Sequence, residues 1–142
     1  MSDKSYQAYE KMATCYEENN ESDMAYNIYY ERPGIISLLG DVENKSVLDI
    51  GCAAGFFSKW ILDNGGRVTA VDYSDAMVEK TKILTENKAD VFKADIKEPM
   101  IFLKDESFDL VIASLVLHYV KDMDSVLKEL HKKMKKGGQL VL

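Results

Sequence analysis

After position 44 the chain alternates between two patterns. Short, largely apolar runs fall at 47–50, 68–71, 89–94, 108–113 and 139–142, and the stretches between them carry apolar residues every three or four positions. Runs with apolar residues at consecutive positions predict strands buried on both faces, as in a parallel sheet. The intervening stretches predict helices with apolar stripes at Phe56, Phe57, Trp60 and Ile61, at Met77, Val78, Thr81 and Leu84, and at Val126, Leu127, Leu130 and Met134. Strand and helix in strict alternation give a doubly wound α/β domain, with a mostly parallel sheet and helices on both faces. The last run stops with the chain, so the sheet is expected to be incomplete at its C-terminal edge, as in a chain truncated after the fifth strand. Such an edge can pair with a second copy, and a homodimer is one expectation.

The first 44 residues read differently from the core expected over 45–142. Tyr6, Tyr9, Met12, Ala13 and Tyr16 fall on one face of a helix over 5–16. The acidic stretch "EENNESD" then predicts a loop, and Pro33 fits the first turn of a helix running to Leu39.

Composition narrows the function classes. Net charge is −6, so the overall field attracts neither nucleic acid nor anionic lipid. No apolar run reaches the length of a bilayer span, and the polar start "MSDKSYQAYEK" lacks the apolar segment of a signal peptide. Cys15 and Cys52 form neither a CxxC pair nor a disulfide framework, which fits a reduced, cytoplasmic chain. No cluster has the spacing of metal ligands.

Chemistry concentrates in "VLDIGCAAGFFSKW", a strand that breaks into a glycine turn and continues as a helix. In a doubly wound sheet, ligands bind at the carboxyl ends of the strands. Gly51 and Gly55 allow close approach to the main chain, and the helix near Phe56 presents N–H groups at its positive end. Asp72 stands 21 residues beyond Gly51 at the end of the second predicted strand, close to the separation at which a carboxylate meets a ribose hydroxyl pair. A nucleoside ligand follows. A dinucleotide is disfavoured, because the G-x-G-x-x-G pattern is replaced by Ala53 in the middle and Phe56 at the end. No Tyr-x-x-x-Lys pair supports an NAD-dependent oxidoreductase.

From Val47 onward the sequence resembles the class I S-adenosylmethionine-dependent methyltransferases, a Rossmann-like family. "VLDIGCAAG" is similar to the family's first motif, "VTAVDYS" to its ribose-binding second and "FKADI" to its third; "FDLVIASLVLHYV" and "LKELHKKMKKGGQLVL" resemble the fourth and fifth strands with their connections. "YERP", at positions 30–33, resembles the small-molecule type within the family. Ala53 is a departure, standing where the family often has glycine.

The resemblance implies S-adenosyl-L-methionine as cofactor, S-adenosyl-L-homocysteine as product and a small-molecule methyl acceptor as partner. It places Gly51, Cys52, Ala53 and Gly55 at the cofactor. Asp49 either caps the glycine loop or also reaches the cofactor's amino group through it. Tyr73, Met77 and Ile96 flank adenine or belong to the core. Asp95 meets the adenine amino group or caps the following turn. Ser114 and Leu115 offer backbone carbonyls to the cofactor's ammonium. His118 is either structural or a base for the acceptor. The N-terminal segment folds over the cofactor as a lid, with Tyr16 and Arg32 toward the cofactor, Arg32 pairing with the methionine carboxylate or with an acidic substrate, and Tyr29, Tyr30 and, from the core, Tyr119 toward the acceptor, unless the tyrosines only pack. A cofactor-binding piece without turnover is the alternative to an active transferase. The basic run "HKKMKKGG" looks like a nucleic-acid patch, but at a helix C-terminus it reads as a solvated face complementing the dipole.

Overall fold

The computed structural model describes residues 25–142, together with Gln7 and Lys11. Gln7 and Lys11 are helical; Tyr16 and the rest of the helix expected over 5–16 lie outside the described residues, as does the loop expected over 17–23.

Five strands form one parallel sheet: β1 Ser46–Ile50, β2 Arg67–Asp72, β3 Asp90–Lys93, β4 Phe108–Ile112 and β5 Met134–Val141, in the order β3-β2-β1-β4-β5. The chain runs outward from β1 through β2 to β3, then returns to the other side of β1 for β4 and β5. Strand order therefore reverses between β1 and β4, and the crevice of such a sheet opens at their carboxyl ends.

Alternate side chains of each strand feed two cores. Val47, Val68, Ala70, Leu110 and Ile112 pack with α1 (Arg32–Leu39), α2 (Phe56–Asp63) and α3 (Asp75–Leu84) through Ile35, Leu39, Ile61 and Val78. Leu48, Ile50, Val71 and Val111 face the opposite way, against Val126 and Leu130 of α4 (Met123–Lys133) and against Met100 and Leu103 of the connection after β3. Burial of both faces explains the consecutive apolar positions, and the sheet is doubly wound and Rossmann-like as expected.

Local chemistry sets the helix ends. Pro33 occupies the first turn of α1, where its missing N–H costs nothing, and Gly40 ends that helix at φ 62°. One turn of π-helix, Asn27–Glu31, leads directly into α1. Ser74 caps α3 by accepting from the Met77 amide at 3.3 Å, and Asp122 caps α4 by accepting from the Ser125 amide at 3.2 Å. His131, Lys132 and Lys133 occupy the last turn of α4, as the dipole favours.

Three expectations need correction. β5 begins at Met134 rather than 139, so Met134 is a strand residue and not part of the helical stripe. Gly137, at φ 80°, lets residues 135–138 bulge outward: Phe108 pairs with Met134, and Leu110 with Gln139. Lys135 Nζ lies 3.2 Å from both Asp109 carboxylate oxygens and spans that bulge. β3 is shorter than 89–94, covering Asp90–Lys93. In α3 the stripe is buried at Met77, Val78 and Thr81, whereas Leu84, in the last turn, is exposed and lines the cavity described below. Among the described residues no helix is long and apolar enough to cross a membrane.

Candidate functional site

The glycine turn is locked onto the end of β2. Gly51 and Cys52 both donate backbone N–H groups to the Val71 carbonyl, at 2.8 and 3.1 Å. Gly51 has φ +67°, and a Cβ there would come within 2.8 Å of Val116 Cγ2, so neither the backbone conformation nor the space admits a side chain. Ala53 also has positive φ, +49°, which gives the physical reason a glycine suits that position. Its carbonyl accepts from Thr81 Oγ1 at 2.8 Å, tying the turn to α3. Gly55, at φ +92°, caps α2 and faces Thr81 rather than the cleft.

Asp72 is the polar anchor beside this turn. Its Oδ2 accepts from the Ala53 amide and its Oδ1 from the Ser74 amide, both at 2.9 Å. These two amides fix the orientation of the carboxylate at the end of β2. Asp49 lies one strand over and is buried, its Oδ2 accepting from Ser58 Oγ at 2.7 Å. Burial pushes the Asp49 carboxyl up to about 6; the Ser58 hydrogen bond pulls down and the Asp72 charge adds a smaller upward push.

Around these groups opens a cavity of about 810 Å³ at the carboxyl ends of β1, β2 and β4. That volume lies within the range of sites for ligands of cofactor size. One wall is Asp72, Tyr73, Ser74 and Met77; another is Ala94, Asp95, Ile96 and Lys97; a third is Ser114, Leu115, Val116, His118, Tyr119 and Val120. Leu115 is left-handed, at φ +53°, a turn that follows Ser114 and precedes Val116 against Gly51. The His118 and Tyr119 rings lie against each other, tilted by 42° with centroids 4.0 Å apart. Tyr26, Asn27, Glu31 and Arg32 close the cavity from the N-terminal side. Glu31 Oε1 accepts from Ser114 Oγ at 2.7 Å, and the Arg32 guanidinium sits 3.9 Å above the Phe56 ring.

The fold thus brings Arg32, Asp49, Gly51, Cys52, Ala53, Asp72, Tyr73, Met77, Asp95, Ile96, Ser114, Leu115, His118 and Tyr119 to one cavity. Gly55 stays in the supporting layer. Tyr29 and Tyr30 are 73% and 72% exposed and do not line the cavity; Tyr30 instead stacks on Tyr26, with centroids 5.8 Å apart. Glu31, Tyr26, Phe57, Lys97 and Val116 line it without having been singled out from sequence. For Glu31 a signal existed, since it sits inside "YERP"; for Val116 none did, because its role depends on packing against a glycine 65 positions away.

Comparison with known proteins agrees with this geometry. The chain is 31% identical over 114 residues to phosphoethanolamine N-methyltransferase of Triticum aestivum, covering 78% of this chain and 23% of that one. It is 31% identical over 107 residues to malonyl-[acyl-carrier protein] O-methyltransferase of Hamiltonella defensa subsp. Acyrthosiphon pisum, covering 75% of this chain and 40% of the other. It therefore spans less than half the length of these curated relatives. Among solved structures, an S-adenosylmethionine-dependent methyltransferase from Mesorhizobium loti superposes with a TM-score of 0.71 at 28% identity, covering 78% of this chain and 51% of that one. Residues 48–142 match the family described as methyltransferase domain. The chain belongs to that family, in its class I S-adenosylmethionine-dependent group.

Proposed function

We propose that this chain binds S-adenosyl-L-methionine in the cavity at the β1/β4 switch point and transfers its methyl group to a small-molecule acceptor. The observation that carries the reading is Asp72, held by two backbone amides at the end of β2 beside a glycine turn that leaves no room for side chains. An oriented carboxylate next to bare main chain suits a nucleoside with a polar tail.

The residues divide the ligand between them. Asp72 accepts from the ribose hydroxyls, Tyr73, Met77 and Ile96 flank the base, and Asp95 takes its amino group. The main chain of Gly51, Cys52 and Ala53 meets the amino-acid end, with Gly55 and Asp49 supporting it from behind. Carbonyls of Ser114 and Leu115 accept from its ammonium, and Arg32 pairs with its carboxylate. Tyr16 belongs to the lid in this reading, and Tyr29, Tyr30 and Tyr119 to the acceptor side, the first two after a movement that turns them inward.

When bound, the cofactor supplies an activated methyl group on a sulfonium. The protein's part is to hold the acceptor in line and exclude water, which accounts for much of the rate in such reactions. His118, on the β4 wall, takes the acceptor's proton where the acceptor has one to lose. No metal is assigned. Cytoplasmic residence belongs to the same proposal, as does pairing of two chains through the β5 edge, although exposed Lys135 and Lys136 on that strand oppose close strand pairing.

A second reading, cofactor binding without turnover, is favoured by one observation: the chain covers 23% and 40% of the two curated relatives named above. An NAD-dependent reaction is disfavoured, since Phe56, pinned under Arg32, occupies the helix start that a pyrophosphate approaches. Thermal unfolding with S-adenosylmethionine, S-adenosylhomocysteine and NAD tests all three. Stabilisation by the first two and not by NAD is expected, and methyl release to added acceptors then separates transfer from binding alone. Stabilisation by NAD alone contradicts the proposal.

A further inference from the structure

Four carboxylates border the cavity, and three of them are already engaged with the core. Asp49 accepts from Ser58, Asp72 orients on the Ala53 and Ser74 amides, and Asp95 lies 3.4 Å from Lys97 Nζ while accepting from the Lys97 amide at 3.0 Å. Glu31 differs. It enters from the segment ahead of α1, half-buried, and among the described residues its carboxylate accepts from the Ser114 hydroxyl and forms no ion pair with a Lys or Arg. Its neighbour in sequence, Arg32, lies over the Phe56 ring and forms no ion pair with Glu31. A carboxylate that lines a cavity with no cation opposite it is a ready partner for a cationic group. Tyr26 and Tyr119 line the same cavity, and a carboxylate together with aromatic rings is a composition that attracts an ammonium group.

We infer that Glu31, Ser114, Tyr26 and Tyr119 form the acceptor subsite, and that it selects an amine presented as an ammonium or alkylammonium ion. The inference rests on the methyl-transfer reading for the origin of the methyl group. An anionic acceptor would be repelled by Glu31, while the two Lys and Arg side chains that line the cavity have other partners: Arg32 pairs with the cofactor's carboxylate in the reading above, and Lys97 lies beside Asp95. For transfer, the ammonium gives a proton to water or His118, and the freed nitrogen lone pair forms the N–C bond as the S–C bond breaks with its electrons left on sulfur. Glu31 then offsets the positive charge that the new bond places on nitrogen.

The test uses butylammonium and butyrate, matched in length and opposite in charge, titrated into the 142-residue chain after saturation with S-adenosylhomocysteine. Isotope-labelled tyrosine rings report binding by NMR. Butylammonium is expected to bind at least about tenfold more tightly than butyrate, with the preference screened by salt and abolished in Glu31→Gln. Ser114→Ala, which keeps the carboxylate, retains the sign of the preference and covers the case in which Glu31→Gln misfolds. Equal binding, a preference for butyrate, no binding of either probe, or a preference that survives Glu31→Gln in a folded chain overturns the inference. Titrating S-adenosylhomocysteine first keeps the two readings apart. A chain that binds it yet shows no ammonium preference retains the cofactor site and loses this subsite; a chain that does not bind it, but prefers butylammonium when titrated with the probes alone, does the reverse.

Discussion

Burial fixes the ionisation of Asp49, and through it part of the protein's dependence on pH. In the unfolded chain this carboxyl has its ordinary value of 3.8, and in the folded chain burial raises it to about 6. A raised folded pKa means that the Asp49 contribution is fully present below pH 4 and is lost as pH climbs through 6, a loss of about 3 kcal/mol for a gap of this size. Asp49→Asn keeps the shape and the acceptor for Ser58 but has no proton to lose. Its stability relative to the parent is therefore expected to rise between pH 4.5 and 7 in urea unfolding, by an amount of that order; a constant difference across that range contradicts the assignment. The sequence made Asp49 legible as a carboxylate in a buried strand, hence one needing a partner. That the partner is Ser58 was not legible, because it depends on α2 lying against the Asp49 face of β1.

The glycine turn works as an element because three neighbours brace it. Gly51→Ala forces a methyl group against Val116 in a left-handed conformation and is expected to cost about 2 kcal/mol in unfolding free energy. Adding Val116→Ala relieves the clash and not the backbone strain, so the double variant recovers part of the loss. Full recovery, or none, would show that one of the two causes is absent. Thr81→Val leaves the Ala53 carbonyl without its donor from α3 and is expected to cost about 1 kcal/mol, and also to weaken S-adenosylhomocysteine, since the Ala53 amide is what orients Asp72. At this scale the sequence reads well where the signal is local: the strand-turn-helix around Gly51, Pro33 in α1 and the alternating elements all follow from spacing. It reads poorly at β5, where the bulge over 135–138 lets a strand start directly after a helix and five residues earlier than the apolar run.

For the whole molecule, topology does what no single motif does. The order β3-β2-β1-β4-β5 brings the ends of β1, β2 and β4 together, so residues from Asp49 to Tyr119 meet the N-terminal Glu31 and Arg32 around one cavity. The doubly wound sheet was visible in the pattern of apolar runs, and most cavity residues in the motifs at strand ends. The N-terminal contacts were not, because Glu31 to Ser114 and Arg32 to Phe56 join parts of the chain with no shared periodicity. The central claim is that Asp72 and the glycine turn form a nucleoside site. Calorimetric titration of S-adenosylhomocysteine into the parent chain and Asp72→Asn tests it most directly. Micromolar binding by the parent, weakened about tenfold or more by the substitution, is the predicted result; parent and variant binding with equal affinity, or no binding by the folded parent, would contradict the account.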